Sequence, residues 1–138
     1  MKIFLDANIC LDLLDTTRPT SKNTVAWYMK HKDNMENEFY FSGDFITTVY
    51  YVLTQKKKLN PKDVLKGIDE LSIEIKAHYI IHNDFLEAKN QFLNDDFNDF
   101  EDLIILNSAS RLYCDKFVTN DKEILGLNRY LNLEIVKP

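Results

Sequence analysis

At 138 residues the chain has the length of one domain, enough to bury a core without disulfides or a structural metal. Hydrophobic residues make up 45% and charged residues 28%, as in an ordinary globular protein, and three glycines with three prolines leave little room for flexible linkers. A net charge of −5 argues against a phosphate-rich partner unless the acids are gathered in one place and the cations in another.

In chain order, the apolar run at residues 2–5 followed by the polar break Asp6-Ala7-Asn8 and helically spaced apolar residues through Leu14 predicts strand, turn and helix. Asp6 arrives after only three apolar residues, so the N-terminus lacks the long apolar region of a secretory signal, and no later stretch has the length of a membrane span. Arg18-Pro19-Thr20-Ser21 punctuates, and Val25, Ala26, Tyr28 and Met29 mark a second helix over 22–31. Residues 39–42 predict a second strand, with Gly43 breaking it and Asp44 placed to cap a third helix over 45–55. Asn60-Pro61 starts a helix to about Leu71, with Val64, Leu65, Ile68 and Leu71 on one face. A third strand is expected within 73–81, a helix over 84–93 capped by Asn83, and a helix after Asp99 that continues to Tyr113. Strands at 116–119 and 133–136 close the chain. Strands alternating with helices imply right-handed crossovers, hence an α/β fold: a three-layer α/β/α arrangement around a mainly parallel sheet of about five strands, one domain over residues 1–138.

Ligands of such sheets bind beyond the carboxyl ends of the strands, where the strand order reverses. Asp6 follows the first strand and Asp121 follows the strand ending at Val118 and Thr119, so both occupy such ends. Asp99 and Asp102 are three apart, on one face of a helix's first turn. Four converging carboxylates repel one another unless a cation compensates, and oxygen-only ligands point to Mg²⁺ or Mn²⁺ rather than zinc. Plainer roles exist beside this one. Asp99 and Asp121 can each cap a helix, whereas Asp6 and Asp102 adjoin apolar runs where an unpaired charge is costly. Asp12, Asp15, Asp95 and Asp96 read as solvated. His31, His78 and His82 lack metal-ligand spacing, and Cys10 and Cys114 lack a CxxC pattern, which suits a reducing cytoplasm. If the four acids share one site, the remaining surface is near neutral. Lys56, Lys57, Lys58, Lys62 and Lys66 then offer a local cationic footprint or, equally, a solvated helix end.

Residues 3–14 (IFLDANICLDLL), 39–53 (FYFSGDFITTVYYVL), 98–109 (NDFEDLIILNSA) and 117–124 (FVTNDKEI) together resemble, in order and spacing, the PIN-domain ribonucleases, and within them the VapC-like toxins of bacterial toxin–antitoxin pairs. The resemblance implies a cytoplasmic, metal-dependent endoribonuclease that hydrolyses RNA phosphodiester bonds, in tRNA or mRNA, with Mg²⁺ or Mn²⁺ held by Asp6, Asp102 and Asp121 and helped by Asp99. It puts Asn8, Ser42 and Thr119 in supporting positions. It also implies a homodimer, with Val49, Tyr50 and Val52 as contact candidates, and a cognate antitoxin. One departure stands out: Thr48 falls where the family usually carries a glutamate, and a hydroxyl cannot supply a carboxylate's charge. That departure supports an alternative, a catalytically degenerate PIN fold kept as an RNA- or protein-binding module. A receiver or dehalogenase-like phosphotransfer domain also places an aspartate after its first strand. Asn8 stands where the dehalogenase group needs a second aspartate, and 2–8 lack the receiver's acidic pair.

Overall fold

The computed structural model describes residues 1–94 and 97–138. The expected solvation of Asp95 and Asp96 lies outside the described residues. The first strand, β1 at Lys2–Leu5, leads through Asp6 into α1 at Ala7–Leu14, and α2 follows at Ser21–Lys32. After β2 at Glu38–Ser42 a short 3₁₀ turn leads to α3 at Ile46–Tyr51, which runs on into a wider π-helical turn at Val52–Lys56. Then come α4 at Pro61–Glu74, β3 at Ile75–His78, α5 at His82–Leu93 and α6 at Phe100–Arg111. The remaining elements are β4 at Lys116–Val118, α7 at Lys122–Leu125, β5 at Arg129–Tyr130 and β6 at Leu133–Val136.

The strands form one sheet in the order β3-β2-β1-β4-β6-β5, parallel throughout except for the final β5–β6 pair. That is one strand more than the sequence suggests. Strand β5 has only two residues and no alternation to read, and it closes against β6 around Asn128 and Leu131, both at positive φ.

The register shows how alternation builds three layers. Ile3, Phe4 and Leu5 face Phe39, Tyr40 and Phe41 on one side, and Phe4 and Leu5 face Phe117 and Val118 on the other. Phe4, Tyr40 and Phe117 point to one face and pack with Leu106, Ala109, Ile124 and Leu133, beneath α6 and α7. Ile3, Leu5, Phe39, Phe41 and Val118 point to the other, with Ile9, Cys10 and Tyr28 of α1 and α2. Strands covered on both faces read as continuous apolar runs, which is the pattern of residues 3–5 and 39–41. Each fully buried large side chain contributes about 1.5–3 kcal/mol.

Several local expectations are corrected. Asp44 does not cap α3. Its carboxylate accepts from the Ser42 hydroxyl (3.1 Å) and the Ile80 amide (2.8 Å), tying the end of β2 to the segment after β3. Asn83 is not the cap of α5, because the helix begins one residue earlier. Asp84 closes its first turn on the Ile81 amide (2.9 Å), and its buried carboxylate is paired with Arg111 (3.0 Å). Asn60 does cap α4 through the Lys62 and Asp63 amides, although Leu65 is exposed rather than on the buried face. Val49 is no surface contact: it is buried with Leu11, Leu53, Val64 and Ile68, with Tyr50 and Val52 packed partly against that cluster. Asp12 and Asp15 are not solvated but buried, Asp12 completely. Their partners lie beyond α1, so the periodicity of residues 9–14 gives no sign of them.

Candidate functional site

The chain steps outward from β1 to β2 and β3, then returns to place β4 on the opposite side of β1. The strand order therefore reverses between β1 and β4, and the residues just beyond their carboxyl ends are Asp6 and Thr119-Asn120-Asp121.

Asp6 is held from two sides. Its Oδ1 accepts from the Ala7 amide (2.7 Å) as the N-cap of α1, and its Oδ2 accepts from the Thr119 hydroxyl (2.7 Å). Its amide donates to the Val118 carbonyl (3.0 Å), so the backbone bridges β1 and β4. The Thr119 oxygen also accepts from the Asp121 amide (3.0 Å). One buried hydroxyl thus connects the two aspartates. Asp121 caps α7 with Oδ1, which accepts from the Glu123 and Ile124 amides (2.8 and 3.1 Å), and among the described residues its other oxygen accepts no hydrogen bond. Asp99 likewise caps α6, accepting from the Asp102 amide (3.2 Å). Capping and site membership are compatible for both residues, because a cap needs only one carboxylate oxygen.

Asp102 lies one turn into α6, partly buried, and its carboxylate accepts no hydrogen bond and forms no ion pair among the described residues. Burial raises its pKa to about 7, and the charges of Asp99, Asp6, Asp121 and Glu123 add to the effect in that order. Asp6 is also raised, by burial first and by the charge of Asp121 last, against the opposing hydrogen bonds of Thr119 and Ala7. Each of the four expected acids therefore acts electrostatically on another member of the set. Glu123 is an acid that sequence reasoning passed over. Its position two residues after Asp121, in the first turn of α7, is the signal that was available.

The other supporting positions are less involved. Asn8 is exposed, and Ser42 is buried with its hydroxyl committed to Asp44. Thr48 lies on an exposed face of α3 and hydrogen bonds to none of the four aspartates.

The donor set is oxygen only, and the charged groups that act most strongly on Asp102 are all acids. That is the chemistry of a hard divalent cation. Among the described residues no three His, Cys, Asp or Glu side chains stand close enough to grip one ion directly. A cation at these acids would have to reach some of them through its own water.

Comparison with known proteins agrees with this geometry. The PIN domain family model matches residues 3–129. The chain is 30% identical over 125 residues to ribonuclease VapC1 of Aquifex aeolicus (strain VF5), covering 88% of this chain and 82% of that protein. Among solved structures, VapBC2 from Rickettsia felis, bound to a DNA fragment from its promoter, superposes with a TM-score of 0.70 at 17% identity, over 100% of this chain and 99% of the other. VapC20 of Mycobacterium tuberculosis, a toxin that cleaves the sarcin-ricin loop, gives 0.71 at 10% identity over 96% and 98%. VapBC-1 from nontypeable Haemophilus influenzae gives 0.63 at 16% identity over 99% and 98%. At such identities these structures speak for the fold alone. The family match over nearly the whole chain, joined to an acidic site at the reversal of the sheet, shows that the chain belongs to the PIN-domain family.

Proposed function

We propose that the chain is a metal-dependent endoribonuclease, the toxin of a toxin–antitoxin pair. The observation that carries this reading is the uncompensated carboxylate group of Asp6, Asp99, Asp102 and Asp121 at the β1–β4 reversal, in a chain 30% identical to a ribonuclease. Asp6, Asp102 and Asp121 would hold Mg²⁺ or Mn²⁺, with Asp99 contributing charge. A bound ion of this kind supplies Lewis acidity at a phosphoryl oxygen and an activated water for in-line attack.

The chain's own residues do the positioning. Ala7 and Thr119 fix both oxygens of Asp6, so its carboxylate does not rotate away from β4. Thr119 holds the Asp121 amide, and the cap of α7 directs the free oxygen of Asp121. Asp102, whose pKa burial and its acidic neighbours raise to about 7, would hold the ion as its carboxylate. On the opposite side of the charge balance, Lys56, Lys57, Lys58, Lys62 and Lys66 are exposed and form no ion pair among the described residues, available to RNA phosphates. Self-association belongs to the same reading, with exposed Tyr51 rather than buried Val49 as the apolar side chain that α3 presents. Among the described residues no helix is long and apolar enough to cross a membrane.

The direct test is cleavage of tRNA and mRNA fragments by purified protein. Activity is expected with Mn²⁺ or Mg²⁺ and none in EDTA, with recovery when metal is restored. Cleavage that persists in EDTA overturns the reading. Absence of both cleavage and Mn²⁺ binding favours the alternative of a degenerate binding module, for which Thr48 in place of a glutamate is the specific support.

Thr48→Glu addresses that departure. If position 48 borders the acids, the added carboxylate is expected to tighten Mn²⁺ binding several-fold and to lower the melting temperature of the metal-free protein at neutral pH. A Mn²⁺ titration and a thermal melt check the two signs. No change in either places position 48 away from the centre.

A further inference from the structure

Asp12 is fully buried in α1, six residues after Asp6, and the reaction as read above does not use it. Its carboxylate accepts four hydrogen bonds. On Oδ1 the donors are Arg18 Nε (2.7 Å) and the Thr20 hydroxyl (2.8 Å), and on Oδ2 they are the Thr24 hydroxyl (2.7 Å) and Asn120 Nδ2 (3.2 Å). Its backbone carbonyl accepts from the Ser21 hydroxyl (2.7 Å) as well. Burial of a carboxylate is tolerated only with such pairing, and Arg18 supplies the compensating charge.

Three of the four donors are local, and they explain how residues 18–24 fold back onto α1. The fourth is different. Asn120 lies 108 residues away, between Thr119, which holds Asp6, and Asp121, which caps α7. Helix α1 therefore grips the loop after β4 at two points: Asp6 takes the Thr119 hydroxyl, and Asp12, nearly two turns on, takes the Asn120 amide. Two bonds from consecutive loop residues to one rigid helix fix both the position and the rotation of the loop, where a single bond leaves it free to pivot.

We infer that the Asp12–Asn120 hydrogen bond is a strap that positions the metal centre, with Asp12 and Asn120 acting through Thr119 and Asp121 to set the spacing between the Asp6 and Asp121 carboxylates. Both are positioning residues. The inference rests on the metal-dependent nuclease reading. It adds that the orienting shell of the site reaches through Thr119 and Asn120 to Asp12 in α1. Outer partners of this kind govern affinity because they decide whether the ligands are already in place when the ion arrives.

Asp12→Ala is a poor probe, since it strands Arg18 and three other donors and endangers the fold. Asn120→Ala is the better one: it removes the strap and leaves Asp12 its Arg18, Thr20 and Thr24 partners. Thr20→Val serves as control, because it removes one donor from the other Asp12 oxygen without touching the loop. Mn²⁺ affinity by calorimetry, melting temperature without metal, and RNA cleavage as a function of Mn²⁺ are measured for both variants and the parent. For Asn120→Ala the Mn²⁺ dissociation constant is expected to rise about tenfold. Cleavage should fall in step at limiting Mn²⁺ and return toward the parental rate at saturation. Thr20→Val should melt lower while binding Mn²⁺ within about twofold of the parent. An unchanged Mn²⁺ affinity in Asn120→Ala overturns the strap, and so does equal weakening in both variants, which would make Asp12 a general stability hub. A parent that neither binds Mn²⁺ nor cleaves RNA removes the nuclease reading and this inference with it, an outcome distinct from the other two.

Discussion

Asp6→Asn is expected to fold at least as well as the parent while losing more than about a hundredfold in RNA cleavage, since outer-shell changes alone cost 10–100-fold. The two halves of this expectation have separate physical sources. Asparagine keeps the shape of the side chain and one good acceptor, so the Ala7 amide retains its capping partner. The other atom becomes an NH₂ group facing the Thr119 hydroxyl, whose oxygen has a second lone pair beside the one engaged by the Asp121 amide. The Thr119 hydroxyl hydrogen loses its acceptor in that arrangement, a cost that relief of the buried charge has to offset. Removing a charge whose pKa is raised by burial also relieves the metal-free protein at neutral pH. Cleavage and Mn²⁺ affinity should collapse, because an amide carries no charge to offer a divalent cation. Melting temperature, titration and cleavage measured on one preparation decide the matter. An Asp6→Asn protein that cleaves RNA like the parent would remove Asp6 from the centre.

The parts of this architecture that the sequence displays are those written in contiguous residues. Continuous apolar runs at 3–5 and 39–41 announce doubly covered parallel strands, and Asn60-Pro61 announces the start of α4. The acids stand out for a related reason: Asp6 and Asp102 each interrupt or border an apolar run where a charge needs an explanation. What escapes is whatever depends on partners distant along the chain. Asp12 looks like one more polar residue in 9–14, yet two of its four donors sit 12 and 108 residues away, and only the folded topology supplies them. Asp44 and Asn83 fail as caps for a similar reason. Asp44 is drawn to the Ile80 amide, 36 residues on, and Asp84 is held by Arg111 from α6, so tertiary bonds outweigh local capping preference. Strand β5 is too short for any periodicity to register.

Asp102→Asn should separate stability from function most sharply, because its effects have opposite signs with and without metal. In the unfolded chain this carboxyl has an ordinary pKa of 3.8, and in the folded protein the pKa is raised to about 7. The folded state consequently holds the proton over a range in which the unfolded state has released it. Stability of the metal-free parent is thus greatest below the unfolded pKa of 3.8 as far as this group is concerned, falls as pH rises from there through about 7, and levels off above. Asp6, also raised, adds a change of the same sign. An amide at 102 does not ionise, so the stability of Asp102→Asn relative to the parent should rise between pH 5 and pH 8 by about 1–2 kcal/mol, a figure discounted for the carboxylate's remaining contact with water. Addition of Mn²⁺ reverses the order at pH 8: the parent gains stability by binding, and the variant, lacking a ligand, gains far less. Binding to the parent near pH 7 should also release part of a proton, visible as a dependence of the calorimetric heat on the ionisation enthalpy of the buffer. Denaturant melts at pH 5 and pH 8, each with EDTA and with Mn²⁺, contain the whole test. Parallel curves for parent and variant across that pH range would show that Asp102 does not feel its acidic neighbours, and the cation would then have no reason to be drawn to the start of α6.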